Sequence, residues 1–374
     1  MAHIGYFREE FVVRRVWLDD ATFSDLVALC QFLPGPASSQ VGFSIGLIRA
    51  GYLGALAAWT GFTLPSALAL LLFAYGVTGL GGPVGLGLLH GLKLVAVAIV
   101  AQAIWGMART LCPDRQRASI AGIATLIVLL STSSGSQIAA IVFGAIAGLW
   151  LCRAPSPAST ASTGAIVVPV SRKAGIASLV IFALLLIGLP LLGGLRSSPG
   201  VALFDAFYRS GALVFGGGHV VLPLLRIAFV APGWVSDDAF LAGYGAAQAI
   251  PGPLFTFAAY LGAVGKPSPH GVTGAALGLI GIFLPGILIL IGTLPFWETF
   301  RARGQAQAAM RGINASVVGI LCGAFYDPVW TSSVKTTGDF GVALIGFVLL
   351  IMWRAPPLLV VVIGAVAGVA VTRP

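Results

Sequence analysis

Apolar stretches close to bilayer length recur along this whole chain, among them Ala55–Tyr75, Leu86–Met107, Ala174–Leu192 and Val272–Phe296. No soluble fold uses so many, and only 9% of the 374 residues are charged while 58% are hydrophobic, too few charges to coat a water-facing surface of this size. The fold class expected is therefore an all-α polytopic membrane protein. Fifty glycines and 22 prolines fit close-packed and interrupted membrane helices better than strands. The net charge of +9 lies in short loops between apolar spans, as membrane orientation requires, and no nucleic-acid partner is expected. Cys30, Cys112, Cys152 and Cys322 are scattered with no C-x-x-C or histidine cluster beside them, so neither a metal site nor a disulfide framework is read. No phosphate-binding G-x-x-x-x-G-K-[ST] occurs, no cofactor is implied, and no catalytic constellation marks an enzyme. The N-terminus has no basic head followed by an apolar core, so it does not read as a signal peptide.

The chain repeats itself. His3 answers His219, Trp17 answers Trp234, Gln31 answers Gln248, and Pro34-Gly35-Pro36 answers Pro251-Gly252-Pro253. Asp20-Ala21 finds Asp238-Ala239 one residue out of step. Gly61–Pro65 answers Gly281–Pro285, and His90–Leu94 answers Arg311–Ala315, setting Lys93 opposite Asn314. The offset drifts only from 216 at His3 to 221 at His90, which chance apolar similarity does not explain. Residues 1–152 form a first transporter repeat, 153–198 a Ser/Thr/Ala/Pro-rich linker plus a connecting helix, and 199–374 a second repeat. The first repeat holds no counterpart of 199–218; either that helix is dispensed with or, the reading preferred, the frame extends upstream of Met1.

Equivalent loops carry opposite charge signatures. Loop 109–117 holds Arg109, Arg115 and Arg117, while its partner near 327–339 holds one lysine and two aspartates. The positive-inside rule then places equivalent loops on opposite faces. Spans are expected near 22–48, 53–76, 87–108, 118–133, 136–152, 174–194, 199–218, 238–264, 271–297, 312–330, 340–353 and 357–371, about six per half with one connecting helix. That arrangement makes inverted-topology repeats with Pro-Gly-Pro-broken helices. The pairs within 118–152 and 340–371 are short enough to form thin hairpins.

Inverted repeats place substrate near the midplane, where matching helices break. A helix arriving at either Pro-Gly-Pro must stop, and the last proline suits the first position of the next helix. Its free amides then face a ligand at a positive dipole end, which suits an anion. The candidate substrate-binding residues around the first break are Gln31, Gly35, Ser38, Ser39 and Gln40, with Gln248, Gly252 and Thr256 around the second. Phe215-Gly216-Gly217-Gly218-His219 adds Gly216, Gly217 and His219, whose glycines serve either a ligand or tight packing. Lys93 and Asn314 complete the set, Lys93 either attracting an anion or snorkelling to a surface.

The stretches His3–Phe11, Cys30–Gln40, Phe215–His219 and Gln248–Pro253 resemble the chromate ion transporter family in its long form with two fused domains. The resemblance covers nearly the whole chain. It implies a secondary transporter that exports chromate across a bacterial inner membrane, conferring resistance, with sulfate as a look-alike competitor. Family members carry Phe-Gly-Gly-Pro just before the segment matching Ala2-His3; this chain lacks it there and has Phe-Gly-Gly-Gly-His in the second half. The partners implied are an oxyanion and the lipid bilayer, with a homodimer left open. Alternatives are a transporter of another small anion or metabolite on the same scaffold, or a membrane assembly factor.

Overall fold

The computed structural model describes residues 2–77, 82–131, 135–153, 169–195, 198–215, 218–297, 299 and 303–371, and among them there is no strand. The protein is an all-α polytopic membrane protein. A short helix α1 (Ala2–Arg8) runs on as one wide-wound segment, Glu9–Arg14. Then come α2 (Asp20–Phe32), α3 (Ala37–Val77), α4 (Gly82–Leu111), α5 (Arg115–Leu130), α6 (Ser136–Leu151) and the connecting helix α7 (Arg172–Leu195). The second half follows with α8 (Pro199–Ala212), α9 (Val221–Phe229), α10 (Asp237–Ala249), α11 (Phe257–Val264), α12 (Gly271–Thr293), α13 (Gly304–Ala324), α14 (Thr337–Ile351) and α15 (Pro357–Val371). Five of these segments are long and apolar enough to cross a bilayer: Ala37–Gly76, Val84–Leu111, Arg172–Leu192, Gly271–Phe296 and Gly304–Ser333.

The stretches 22–48 and 238–264, expected to cross, instead fold back on themselves. Helix α3 is kinked at Ala50-Gly51, where Gly51 has φ +65°. Its first part returns beside α2, so that the Arg49 guanidinium sits 5.3 Å from the Trp17 ring. In the second half the Lys266 amide donates to the Trp234 carbonyl (3.1 Å) and the Tyr260 hydroxyl to that of Ala239 (3.0 Å), closing α10 and α11 into a hairpin. Within the expected crossing 199–218, α8 is likewise one arm of a hairpin, since α9 returns until Phe229 lies 4.5 Å from Phe207. The reversal has a local cause. Each Pro-Gly-Pro ends one helix, and its glycine takes a left-handed φ, +119° at Gly35 and +145° at Gly252, turning the chain back.

Contacts fix the helix directions. Helix α4 runs parallel to α14, pairing His90 with Asp339 and Ala98 with Gly346, and antiparallel to α15, pairing Gly91 with Gly364 and Gly87 with Gly368. Equivalently, α13 runs parallel to α5 (Ala121 with Gly319, Val128 with Gly323) and antiparallel to α6 (Gly144 with Gly312, Gly148 with Ala308). Helix α5 reverses α4 across residues 112–114, so the equivalent helices α4 and α13 point opposite ways. The halves are inverted. Hairpins in place of the crossings 199–218 and 238–264 remove two crossings between α4 and α13, which leaves their opposite directions unchanged.

The two halves also exchange their terminal hairpins. First-half α5 and α6 pack on second-half α13, and second-half α14 and α15 pack on first-half α4. At 15 or 16 residues these helices reach only about 22–24 Å, short of the ~30 Å hydrocarbon thickness. They hold to the bundle through small residues whose absent side chains let backbones touch: a methyl on Gly312 would strike Gly144 and Gly148, and one on Gly91 would strike Gly364. Large apolar side chains facing outward, such as Leu129, Val142, Leu184, Ile345 and Val362, present the lipid surface.

Arg109, Arg115, Arg117, Arg153, Arg172, Lys173, Arg303 and Arg311 all gather at one end of the bundle, where Arg311 donates to the Cys152 carbonyl (3.1 Å). By the positive-inside rule this end is cytoplasmic. There Asp114 caps α5 by accepting from the Arg117 amide (2.9 Å), and this bond, with the Arg117 guanidinium, holds its carboxyl below the usual range. At the opposite end Asp339 caps α14, accepting from the Lys335 and Thr336 amides (3.0 and 2.9 Å) and meeting His90 Nε2 at 2.6 Å. That buried carboxylate ties the halves together. Asp339→Ala is expected to destabilise the protein by roughly 2–3 kcal/mol, since three donors lose their acceptor. Thermal unfolding in detergent tests this, and an unchanged midpoint would contradict it.

In both halves the same ion pair forms, Arg8 forking onto Asp20 (2.7 Å) and Arg226 onto Asp237 (3.0 Å). The caps agree, Asp19 accepting from Thr22 and Ser236 from Ala239. The structural counterpart of Asp20 is thus Asp237, and the out-of-step match to Asp238 is corrected.

Candidate functional site

Three hairpin tips meet inside the bundle. The Gly35 amide donates to the Val214 carbonyl (2.7 Å), joining the α2/α3 tip to the α8/α9 tip, and Gly218 lies against Leu254, joining the latter to the α10/α11 tip. Each Pro-Gly-Pro rests on the long helix of the other half. Gly35 sits against Gly286, next to the proline of α12, and Gly252 sits against Ser66, next to the proline of α3. Both prolines fall near the middle of their helices, so the tips lie about halfway between the two ends.

At the first break Pro34, Gly35 and Pro36 are buried. Gln40 is fully enclosed, its Nε2 donating to the carbonyls of Pro34 (2.9 Å) and Gly286 (3.0 Å) and so clamping the tip onto α12. Ser39 is buried with its hydroxyl unpartnered, while Ser38 is half-buried. Gln40 is the first amide of α3 to find a carbonyl one turn back, that of Pro36, so those of Ala37, Ser38 and Ser39 have none within the helix. Gln31 lies on the exposed side of α2.

The second break is more open: Pro251 is exposed and Gly252 half-buried. Thr256 is buried, its hydroxyl donating to the Pro253 carbonyl (2.8 Å). His219 Nδ1 meets the Tyr244 hydroxyl at 2.9 Å, and Gln248 Nε2, one turn on, is buried without a partner. Tyr244 was not singled out from the sequence, because its first-half counterpart is Val27 and the repeat carries no signal there. His3, the counterpart of His219, instead stands edge-on to the Phe62 ring at 5.2 Å. Gly216 and Gly217 lie outside the described residues.

Lys93 is placed elsewhere. Its stem is enclosed and its ammonium reaches Asp238 (2.8 Å), a carboxylate 74% exposed at the outer end of α10, roughly 20 Å of helix from Pro251. Asn314 is half-buried on α13 with Oδ1 unpartnered, and α13 packs against Gly218–Val220 and α9. A hollow of about 500 Å³ lies at the same outer end, lined by Trp234, Asp237 and Lys266. Among the described residues no group of histidine, cysteine and carboxylate side chains could hold a metal. The arrangement offers neutral hydrogen-bond donors and helix N-termini, which suits an anion stripped of water.

A family model described as chromate transporter matches residues 1–149 and 201–369, one region in each repeat. The chain is 26% identical to a protein named probable chromate transport protein from Synechococcus elongatus, over 99% of this chain and 90% of that one. It is also 26% identical to the chromate transport protein of Pseudomonas aeruginosa, over 99% and 87%, and 24% identical to that of Cupriavidus metallidurans, over 87% and 77%. No solved structure matches it.

Proposed function

The chain belongs to the chromate transporter family, and on that premise we propose that it is a secondary transporter exporting chromate across a bacterial inner membrane, with sulfate as competitor. The observation that carries this reading is the junction of the three hairpin tips, marked by the Gly35–Val214 hydrogen bond and set against Gly286 and Ser66. A site built of backbone amides, hydroxyls and carboxamides accepts a tetrahedral dianion without a resident cation to hold it back. Outward movement of a dianion is favoured by an inside-negative potential, at ~2.3 kcal/mol per charge per 100 mV, so no coupling ion is required.

In this reading Ser38, Ser39 and Gln40 present the first break, Gln248, Gly252, Thr256 and His219 the second, and Asn314 their flank. Lys93 serves the outer mouth, and Gln31 lies on the exposed face of α2. The test is chromate uptake into inverted vesicles with and without sulfate. Saturable uptake that sulfate depresses is expected; a well-inserted protein that moves no chromate saturably would refute the proposal. Gln248→Ala is expected to raise KM tenfold or more, the loss of a hydrogen bond to a charged ligand being ~1.5–3 kcal/mol. Lys93→Gln, acting from the mouth, is expected to change KM less than about threefold, as a screened surface charge does. Equal effects of the two would move Lys93 into the site.

A further inference from the structure

Beyond its kink, α3 carries Trp59, Thr63 and Ser66 at intervals of four and three residues, which sets them on one face of the helix. Ser66 is the residue that touches Gly252, so this face is turned to the second break. The Ser66 hydroxyl is occupied, donating to the Thr63 carbonyl (3.0 Å). The other two are not. Thr63 is 1% exposed with Oγ1 unpartnered, and the Trp59 indole Nε1 is buried without an acceptor. Trp59 packs against both large hydrophobic clusters, one built mainly from each half, which puts it where the halves join. Its ring stands edge-on to Phe283 (5.5 Å), and Phe283 packs on Phe255 (5.7 Å), two residues beyond Pro253.

The other half has no such face. The residues at the same positions of α12 are Leu279, Phe283 and Gly286, with no side-chain donor among them, and there Gln40 spends its amide on the Gly286 carbonyl. A buried donor that folding leaves unpaired costs its full desolvation, so such groups persist where a ligand satisfies them. Thr63, Trp59 and Gln248 supply three around the second break, the one with the exposed Pro251, beside the unpartnered Ser39 hydroxyl at the first.

We propose that Trp59 Nε1 and Thr63 Oγ1 are substrate-binding donors for the oxyanion, and that the two breaks contribute unequally, the second supplying these side-chain donors and the first, held by the Gln40 clamp, the Ser39 hydroxyl. This rests on the reading that the breaks hold a tetrahedral oxyanion. Sulfate and chromate are the probes.

The test uses the full chain with Thr63→Val, which keeps the shape and removes the hydroxyl, Trp59→Phe, which keeps an aromatic ring and removes the N–H, and Thr63→Ser, which keeps the hydroxyl. Thr63→Val and Trp59→Phe are each expected to raise KM for chromate in inverted vesicles tenfold or more, with Vmax within about twofold. Thr63→Ser is expected to stay near the parent. In detergent, the unliganded melting temperature of Thr63→Val is expected to equal or exceed that of the parent, and the upward shift caused by millimolar sulfate to shrink. A Thr63→Val protein that melts lower with unchanged KM would show a structural hydroxyl and overturn the proposal. So would unchanged KM in both Val and Phe variants while the parent transports chromate. A parent without saturable transport would instead refute the transport reading and this one with it.

Discussion

Gly35→Ala and Gly252→Ala are each expected to cut chromate transport by more than tenfold while the protein still inserts. Both glycines occupy left-handed φ values, +119° and +145°, where a side chain adds strain of order 1–3 kcal/mol. The new methyl has nowhere to go. At Gly35 it would lie 2.9 Å from Gln40 Nε2 and 3.0 Å from the Gly286 Cα, forcing out the amide that clamps the tip to α12. At Gly252 it would run into the Ser66 side chain. Since each tip rests on the other half, either substitution displaces the junction as a whole. Uptake into inverted vesicles, corrected for the amount inserted, reads the effect. Transport within twofold of the parent in both variants would show that the tips need not sit where they do.

The second large effect is expected on stability. Gly312→Ala and Gly91→Ala should each destabilise the fold by about 1–3 kcal/mol, the usual cost of overpacking a filled contact, and valine at either position should prevent folding. Gly312 touches the backbone of Gly144 and Gly148; Gly91 touches that of Gly364 and Ala365. These are equivalent contacts at the two hairpin exchanges, so the two variants should behave alike. Gly122→Ala is the control: nothing lies within 4 Å of it, and alanine should be neutral or stabilising by up to ~1 kcal/mol from helix propensity. Thermal unfolding in a single detergent measures all three. If Gly312→Ala melts with Gly122→Ala, the exchanged hairpin does not depend on backbone contact.

The sequence by itself determined the class, the duplication and the inversion. Hydropathy states which segments are apolar because lipid forbids unsatisfied backbone, and the loop arginines state orientation because translocating them is costly. Pro-Gly-Pro marked both breaks, because proline lacks an amide hydrogen and glycine alone turns left-handed at little cost. Those are local properties. Hydropathy cannot tell a crossing from a hairpin, since 22–48 and 238–264 are equally apolar either way; only the return of Arg49 to Trp17 and of Lys266 to Trp234 decides it. Nor does any local rule send α5 and α6 to α13 rather than to α4, because the glycines that permit both contacts are alike in sequence. The breaks themselves divide the same way. Their existence and matching were written in the chain, but the tertiary structure decided that each rests on the opposite half. It also decided that Gln40 clamps one tip onto α12 while Thr63 Oγ1, Trp59 Nε1 and Gln248 Nε2 near the other stay unpaired, since pairing of buried polar groups depends on what lies across the contact.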